Sequence, residues 1–161
     1  MQSKILNILK ENSRLSNSDI AKMLDLDEQL VAKEIKKMED EGVILKYSVV
    51  LNDNIMRDDI ATAFIEVKIR PKRDEGFDHL ANRIREFSEV RSVHLMSGVY
   101  DLLIEVQGKS LQEVAYFVSG KLATIDGVLS TTTHFLLKKH KENGIIMRDV
   151  KEKSKRINIS F

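Results

Sequence analysis

Few folds can accommodate the stretch from Ser16 to Leu45, SNSDIAKMLDLDEQLVAKEIKKMEDEGVIL. Ile20, Ala21 and Leu24 recur at helical spacing before a break at Asp25-Leu26-Asp27. After the break Val31, Ile35 and Met38 recur at spacings of four and three, which turns them to one helix face. Ser16 or Asn17 can cap the first of these helices and Asp27 the second, because a short polar side chain accepts the unpaired amides of a first turn. Gly42 suits a left-handed helix stop, and Val43-Ile44-Leu45 then reads as the start of a strand. Upstream, Ile5, Leu6, Ile8, Leu9 and Asn12 give a further helical stripe, with Leu15 in the turn behind it. Three short helices with a strand behind them predict a winged-type helix-turn-helix, a module that offers one helix to a DNA major groove.

On the third helix the face opposite Val31, Ile35 and Met38 carries Gln29, Lys33, Lys36 and Asp40, with Lys37 beside them. Lysine neutralises phosphates, and a glutamine amide can pair with an adenine edge. These residue types are what DNA contact needs, so Gln29, Lys33, Lys36 and Lys37 are the candidate DNA-binding residues. The plainer reading is a solvated face, since Glu34 and Glu41 alternate with the lysines at ion-pair spacing. Helix-turn-helix modules also serve protein–protein contact.

Residues 52–59 contain turn formers and no sustained period, which places a linker between a first domain over 1–51 and a second over 60–139. The second domain predicts strand, helix, strand, strand, helix, strand. Ala61, Ala63, Ile65, Val67 and Ile69 alternate until Pro71 closes the strand. Phe77, Leu80, Ala81, Ile84 and Phe87 make a helix face. Val93 and Leu95 precede a turn at Ser97-Gly98-Val99, and Leu102, Ile104 and Val106 follow it. Ser110 caps a helix bearing Leu111, Val114, Ala115, Val118 and Leu122. Gly127 opens a last strand in which Leu129, Phe135 and Leu137 share a face. The order is that of the ferredoxin-like βαββαβ sandwich, so the fold class is α+β. No glycine-rich phosphate loop follows a strand.

With both helices on one face of such a sheet, the other face would carry Ile60, Thr62, Phe64, His94, Met96, Leu103, Val128 and Leu136. An apolar face of this kind predicts an interface, most simply a homodimer joined sheet to sheet. Residues 140–161 form a basic C-terminal extension in which Ile157, Ile159 and Phe161 alternate as a final strand.

Composition excludes several alternatives. The chain has 161 residues, 42% hydrophobic and 32% charged, a net charge of +1 and no cysteine. That is the balance of an ordinary soluble protein. It leaves no disulfide or thiolate metal site, and it makes the cytoplasm the expected compartment. Neither a membrane-length apolar run nor a signal-peptide core is present. His79, His94, His134 and His140 are scattered, Asp58-Asp59 sits in the linker, and no triad or metal signature appears. No catalytic residue, metal or cofactor is therefore expected.

With these motifs laid out in order, the chain resembles the leucine-responsive/asparagine-regulator (Lrp/AsnC, feast/famine) family. The first domain carries the pattern Ile5-Leu6, Leu9, Asn12, Arg14-Leu15-Ser16, Asp19-Ile20-Ala21, Leu24, Leu26, Val31, Ile35, Met38-Glu39 and Gly42-Val43-Ile44. The second carries Ser97-Gly98-Val99-Tyr100-Asp101 and Gly127-Val128 with Thr131-Thr132-Thr133. The resemblance implies a transcription regulator of double-stranded DNA, a dimer that assembles further, for example to an octamer, and an amino acid as small-molecule effector. It implies that Gly98, Tyr100 and Asp101 form the effector pocket, with Thr131, Thr133 and His134 near it. The chemistry fits: amides at the Gly98 turn can hold a carboxylate and Asp101 can receive an ammonium. Alternatively, Asp101 holds the turn by a structural hydrogen bond. A dimer would set two recognition helices in successive major grooves, so a near-palindromic operator is expected.

The chain departs from the family pattern in three places. Lys33-Glu34 stands where many members carry adjacent arginines, Asp27-Glu28 replaces a serine-led cap, and the C-terminal extension runs past the last family strand. Glu34 lies toward the helix flank, yet it brings negative charge near DNA. The alternative function is therefore an effector-sensing module that acts on a protein partner.

Overall fold

The computed structural model describes residues 1–53, 55, 60–71 and 76–148. It divides into two compact units, Met1–Val50 and Leu51–Phe161. Most of the expected linker (Asn54 and Met56 to Asp59) and the expected final strand at Ile157, Ile159 and Phe161 lie outside the described residues.

The first unit holds α1 (Gln2–Glu11), α2 (Asn17–Leu24) and α3 (Glu28–Asp40). Ser16 caps α2 through a capping box with Asp19: the Ser16 hydroxyl accepts the Asp19 amide at 3.1 Å and the Asp19 carboxylate accepts from Ser16 in return. That hydroxyl contact holds the Asp19 carboxyl below its ordinary pKa. Asp25 ends α2 in the left-handed region at φ 54. Two residues on, Asp27 accepts the amides of Gln29 and Leu30 at 2.8 and 3.2 Å and starts α3. Ile5, Ile20, Ala21, Val31 and Met38 form the buried core, with Ile35 and Ile44 packed on it.

The strand expected at Val43-Ile44-Leu45 does not form among the described residues. Gly42 stops α3 at φ 69, and the amides of Val43 and Ile44 both donate to the Met38 carbonyl at 2.8 and 3.0 Å. The helix end uses the donors a ladder would need. Beyond it, the Tyr47 hydroxyl donates to Glu39 at 2.9 Å. Burial, and then the hydrogen bond to Glu39, raise the pKa of that phenol.

The second unit is built from β1 (Ala61–Ile69), α4 (Asp78–Ile84), β2 (Val90–Leu95), β3 (Leu102–Gly108), α5 (Leu111–Phe117) and β4 (Val128–Phe135). The strands pair antiparallel in the order β2-β3-β1-β4. This is the ferredoxin-like arrangement. Ala63, Ile65, Val67 and Ile69 of β1 and Leu102, Ile104 and Val106 of β3 are buried with Leu80, Ile84, Val114, Phe117 and Leu122 from the helical layer. Beyond β4, Lys141–Glu142 (β5) and Ile145–Ile146 (β6) make a hairpin. Its turn residues Asn143 and Gly144 take φ values of 45 and 84, as a two-residue hairpin turn requires.

Several inward positions differ from the periodicity. The β1–β4 register shifts between Lys68 and Ile69, so that Lys68 faces Ser130 and Ile69 faces Val128. Leu129 is the extra residue and is 56% exposed, while Val128 packs on the core. A bulge exchanges the faces that simple alternation assigns. Leu137 lies past the end of β4 and is 95% exposed. In the second helical segment Phe117 is buried while Leu111 and Ala115 are exposed. The segment closes in a π-helical turn over Val118–Leu122, whose wider turn shifts the face that meets the sheet.

Phe87, expected on α4, follows the helix in a turn and meets Phe117 edge to face at 5.5 Å. Lys121 lies over the Phe87 ring at 5.9 Å and pairs with Glu89. That ion pair, outweighing partial burial, holds the Glu89 carboxyl below its ordinary 4.5. A depressed carboxyl stabilises the fold above its unfolded pKa and loses that contribution as pH falls through the folded one. Glu89→Gln is expected to cost roughly 0.5–1 kcal/mol at pH 7, as for a partly exposed pair. The difference should shrink once pH drops below 4.5. Urea unfolding of both proteins between neutral and acid pH checks this; a pH-independent difference would rule the ion pair out as its source.

Candidate functional site

The DNA-contact candidates share one exposed side of α3. Gln29, Lys33, Lys36 and Lys37 are all exposed, while Val31 and Met38 on the opposite side are buried. Lys36 reaches Asp40 at 3.2 Å and Lys37 reaches Glu41 at 3.8 Å, both between well-exposed groups. Such pairs contribute little and exchange readily for another anion. Lys33 makes no ion pair with a described residue. Glu34 is half-buried, and its carboxylate accepts the Gln2 side-chain amide at 3.0 Å. It is turned toward α1 and away from the lysines, an orientation that depends on a partner 32 residues away.

The effector candidates in the second unit fall into two groups. Asp101 is a hub: its amide donates to the Val67 carbonyl at 3.0 Å, its carbonyl accepts the Met96 amide at 2.8 Å, and its Oδ2 accepts the Ile69 amide at 2.8 Å. The carboxylate therefore ties the β2–β3 turn to the end of β1. One oxygen so engaged still leaves acceptor capacity on the other. Thr131 pairs with Val67 from the opposite side of β1 and Thr133 pairs with Ile65, so both threonines share the helix-covered face. Tyr100 is half-buried in the turn. Gly98 is exposed and lies outside the left-handed region, and a Cβ there would meet no heavy atom within 4 Å.

His134 is not brought to the threonines. It pairs with Phe64 across the ladder on the uncovered face, with Nε2 3.2 Å from Glu66 Oε1. That face holds Thr62, Phe64, His94 and Leu103 as expected, but not Val128. It also carries Glu66, Lys68 and Glu105, so it is more polar than the apolar residues alone imply. Among the described residues no His/Asp/Glu cluster has the arrangement of a metal site. No helix among them is long and apolar enough to cross a membrane.

Comparison with known proteins agrees with this two-part architecture. Residues 62–146 match the model of the Lrp/AsnC ligand binding domain, and residues 1–44 match a winged helix-turn-helix DNA-binding domain. The chain belongs to the Lrp/AsnC family of transcriptional regulators. It is 47% identical to the Bacillus subtilis HTH-type transcriptional regulator YugG over 99% of this chain and 96% of that protein. It is 29% identical to the proline dehydrogenase transcriptional activator of Rhizobium radiobacter over 88% and 90% of the two chains. Among solved structures it is similar to the Neisseria meningitidis regulator NMB0573 in complex with L-Met, with a TM-score of 0.70 and 28% identity over 88% of this chain and 90% of that one. As an Lrp/AsnC member this chain is a DNA-binding transcription regulator and not an enzyme.

Gln2 carries no motif, and its role follows only from where α1 packs.

Proposed function

We propose that this regulator binds a near-palindromic operator as a homodimer through Gln29, Lys33, Lys36 and Lys37, and that an amino acid modulates its assembly or its DNA binding. The observation that carries the reading is the α3 face, where three exposed lysines and a glutamine stand together while Glu34 is held by Gln2. The protein-partner alternative rested on Glu34 spoiling that face, and the Gln2 contact weakens it. The L-Met complex of the similar regulator supports an amino acid as effector class.

The effector region we assign is the Gly98, Tyr100 and Asp101 turn with Thr131 and Thr133. Turn amides would receive the carboxylate, and the free Asp101 oxygen the ammonium. His134, on the opposite sheet face with Glu66, would act at the dimer contact. Two protomers would pair through the uncovered sheet face, and the dimers would assemble further, to an octamer for example, in the cytoplasm. An effector shifts such an equilibrium only by its preference for one assembly.

Gly98→Val separates pocket from fold, because open space surrounds the glycine. We expect a melting temperature within about 2 °C of the parent, as for a surface change, and loss of the amino-acid response in light scattering. Full retention of that response would remove Gly98 from the pocket.

A further inference from the structure

β2 is an outer strand of the sheet, and it carries a bulge. Val90 pairs with Val106 and Ser92 with Glu105, so two steps on β2 match one on β3 and Arg91 is the inserted residue. A bulge takes a side chain out of the in–out alternation and re-aims it. Beside it, between β2 and α4, lies a cleft of about 280 Å³ lined by Ala81, Asn82, Arg85 and the β2 residues Val90, Arg91, Ser92 and Val93.

The chemistry of this lining is one-sided. Two arginines, an asparagine and a serine line it together with Ala81, Val90 and Val93, and none of the lining residues is a carboxylate. Arg91 makes no ion pair with a described residue. Arg85 donates its Nε to the neighbouring exposed Glu86 at 3.2 Å, which leaves most of its five N–H donors free. Planar guanidiniums bind phosphate and carboxylate in bidentate fashion. The volume is at the small end for ligand pockets, too small for a protein segment with its side chains.

We propose that this cleft binds a small dianionic metabolite, bearing a phosphate or paired carboxylates, held by Arg85 and Arg91 and oriented by Asn82. It is a separate site from the Gly98–Asp101 turn and does not depend on the effector reading.

The test is amide chemical-shift titration of the full-length protein with sodium phosphate and, separately, sodium malonate, each against sodium chloride at equal ionic strength. The proposal expects saturable shifts at Asn82 and at Arg91 to Val93 that chloride does not produce. Arg85→Gln/Arg91→Gln should weaken the apparent Kd at least tenfold. Both arginines are exposed, so the variant should keep the parent spectrum elsewhere. Tighter phosphate identifies a phosphorylated ligand and tighter malonate a dicarboxylate, and either supports the site. Shifts equal to those with chloride, shifts confined to the Gly98–Asp101 turn, or an unchanged Kd in the double variant would each overturn it.

Discussion

Lys33→Ala/Lys36→Ala is expected to weaken operator binding by roughly a hundred- to a thousand-fold at 0.15 M salt, and to flatten the salt dependence. On the proposed dimer, two lysines from each protomer would make four phosphate contacts. Each contact contributes about 0.9 to the slope of log K against log salt, so the slope should fall by about 3 to 4. The loss is electrostatic and not structural. Both side chains are exposed on α3, alanine is a strong helix former, and the Lys36–Asp40 pair at 3.2 Å is between exposed groups. Fluorescence anisotropy across a salt series measures the slope, and circular dichroism confirms the helix. An unchanged slope would mean that this side of α3 does not meet phosphate. Glu34→Ala provides the contrast: its carboxylate faces Gln2, so affinity should change only a few-fold.

Gly127→Ala is expected to destabilise the second unit by roughly 2–5 kcal/mol. Gly127 has φ 96, where an L-residue costs about 1–2 kcal/mol. An added Cβ would also stand 2.9 Å from Leu80 Cδ1. Leu80 is buried in the core, so it cannot swing aside without crowding its neighbours, which adds about 1–3 kcal/mol. The Gly127 carbonyl accepts the Arg70 amide at 2.8 Å, so a shift here would also disturb the join of β1 and β4. Urea unfolding followed by circular dichroism gives the value. A loss below about 0.5 kcal/mol, the size of an ordinary surface substitution, would show that Leu80 and the backbone relax freely.

The α3 face is legible in the sequence because caps and periodicity are local: Ser16 and Asp27 lie within a turn of the amides they accept. The alternation of Ala63 to Ile69 is likewise local, and β1 is buried on those positions. The contacts that refine the site are not local. Glu34 is turned by Gln2, and Asp101 is held to Ile69, each across 32 residues. The bulges that expel Leu129 and set Arg91 at the cleft arise from pairing register, which no single strand's pattern encodes. His134 shows the same limit. Its neighbours in sequence, Thr131 and Thr133, take one sheet face, and it takes the other with Glu66. The strand expected after Gly42 is absent for a local reason: the Met38 carbonyl at the end of α3 takes the Val43 and Ile44 amides.

The most direct test of the central claim is fluorescence anisotropy with DNA from the protein's own upstream region, across a salt series, with and without a pool of the twenty amino acids. An amino-acid-responsive regulator should bind saturably and site-specifically, weaken steeply with salt, and change affinity when the pool is added. Absence of specific binding even at low salt, on this DNA and on other candidate operators, would contradict the account.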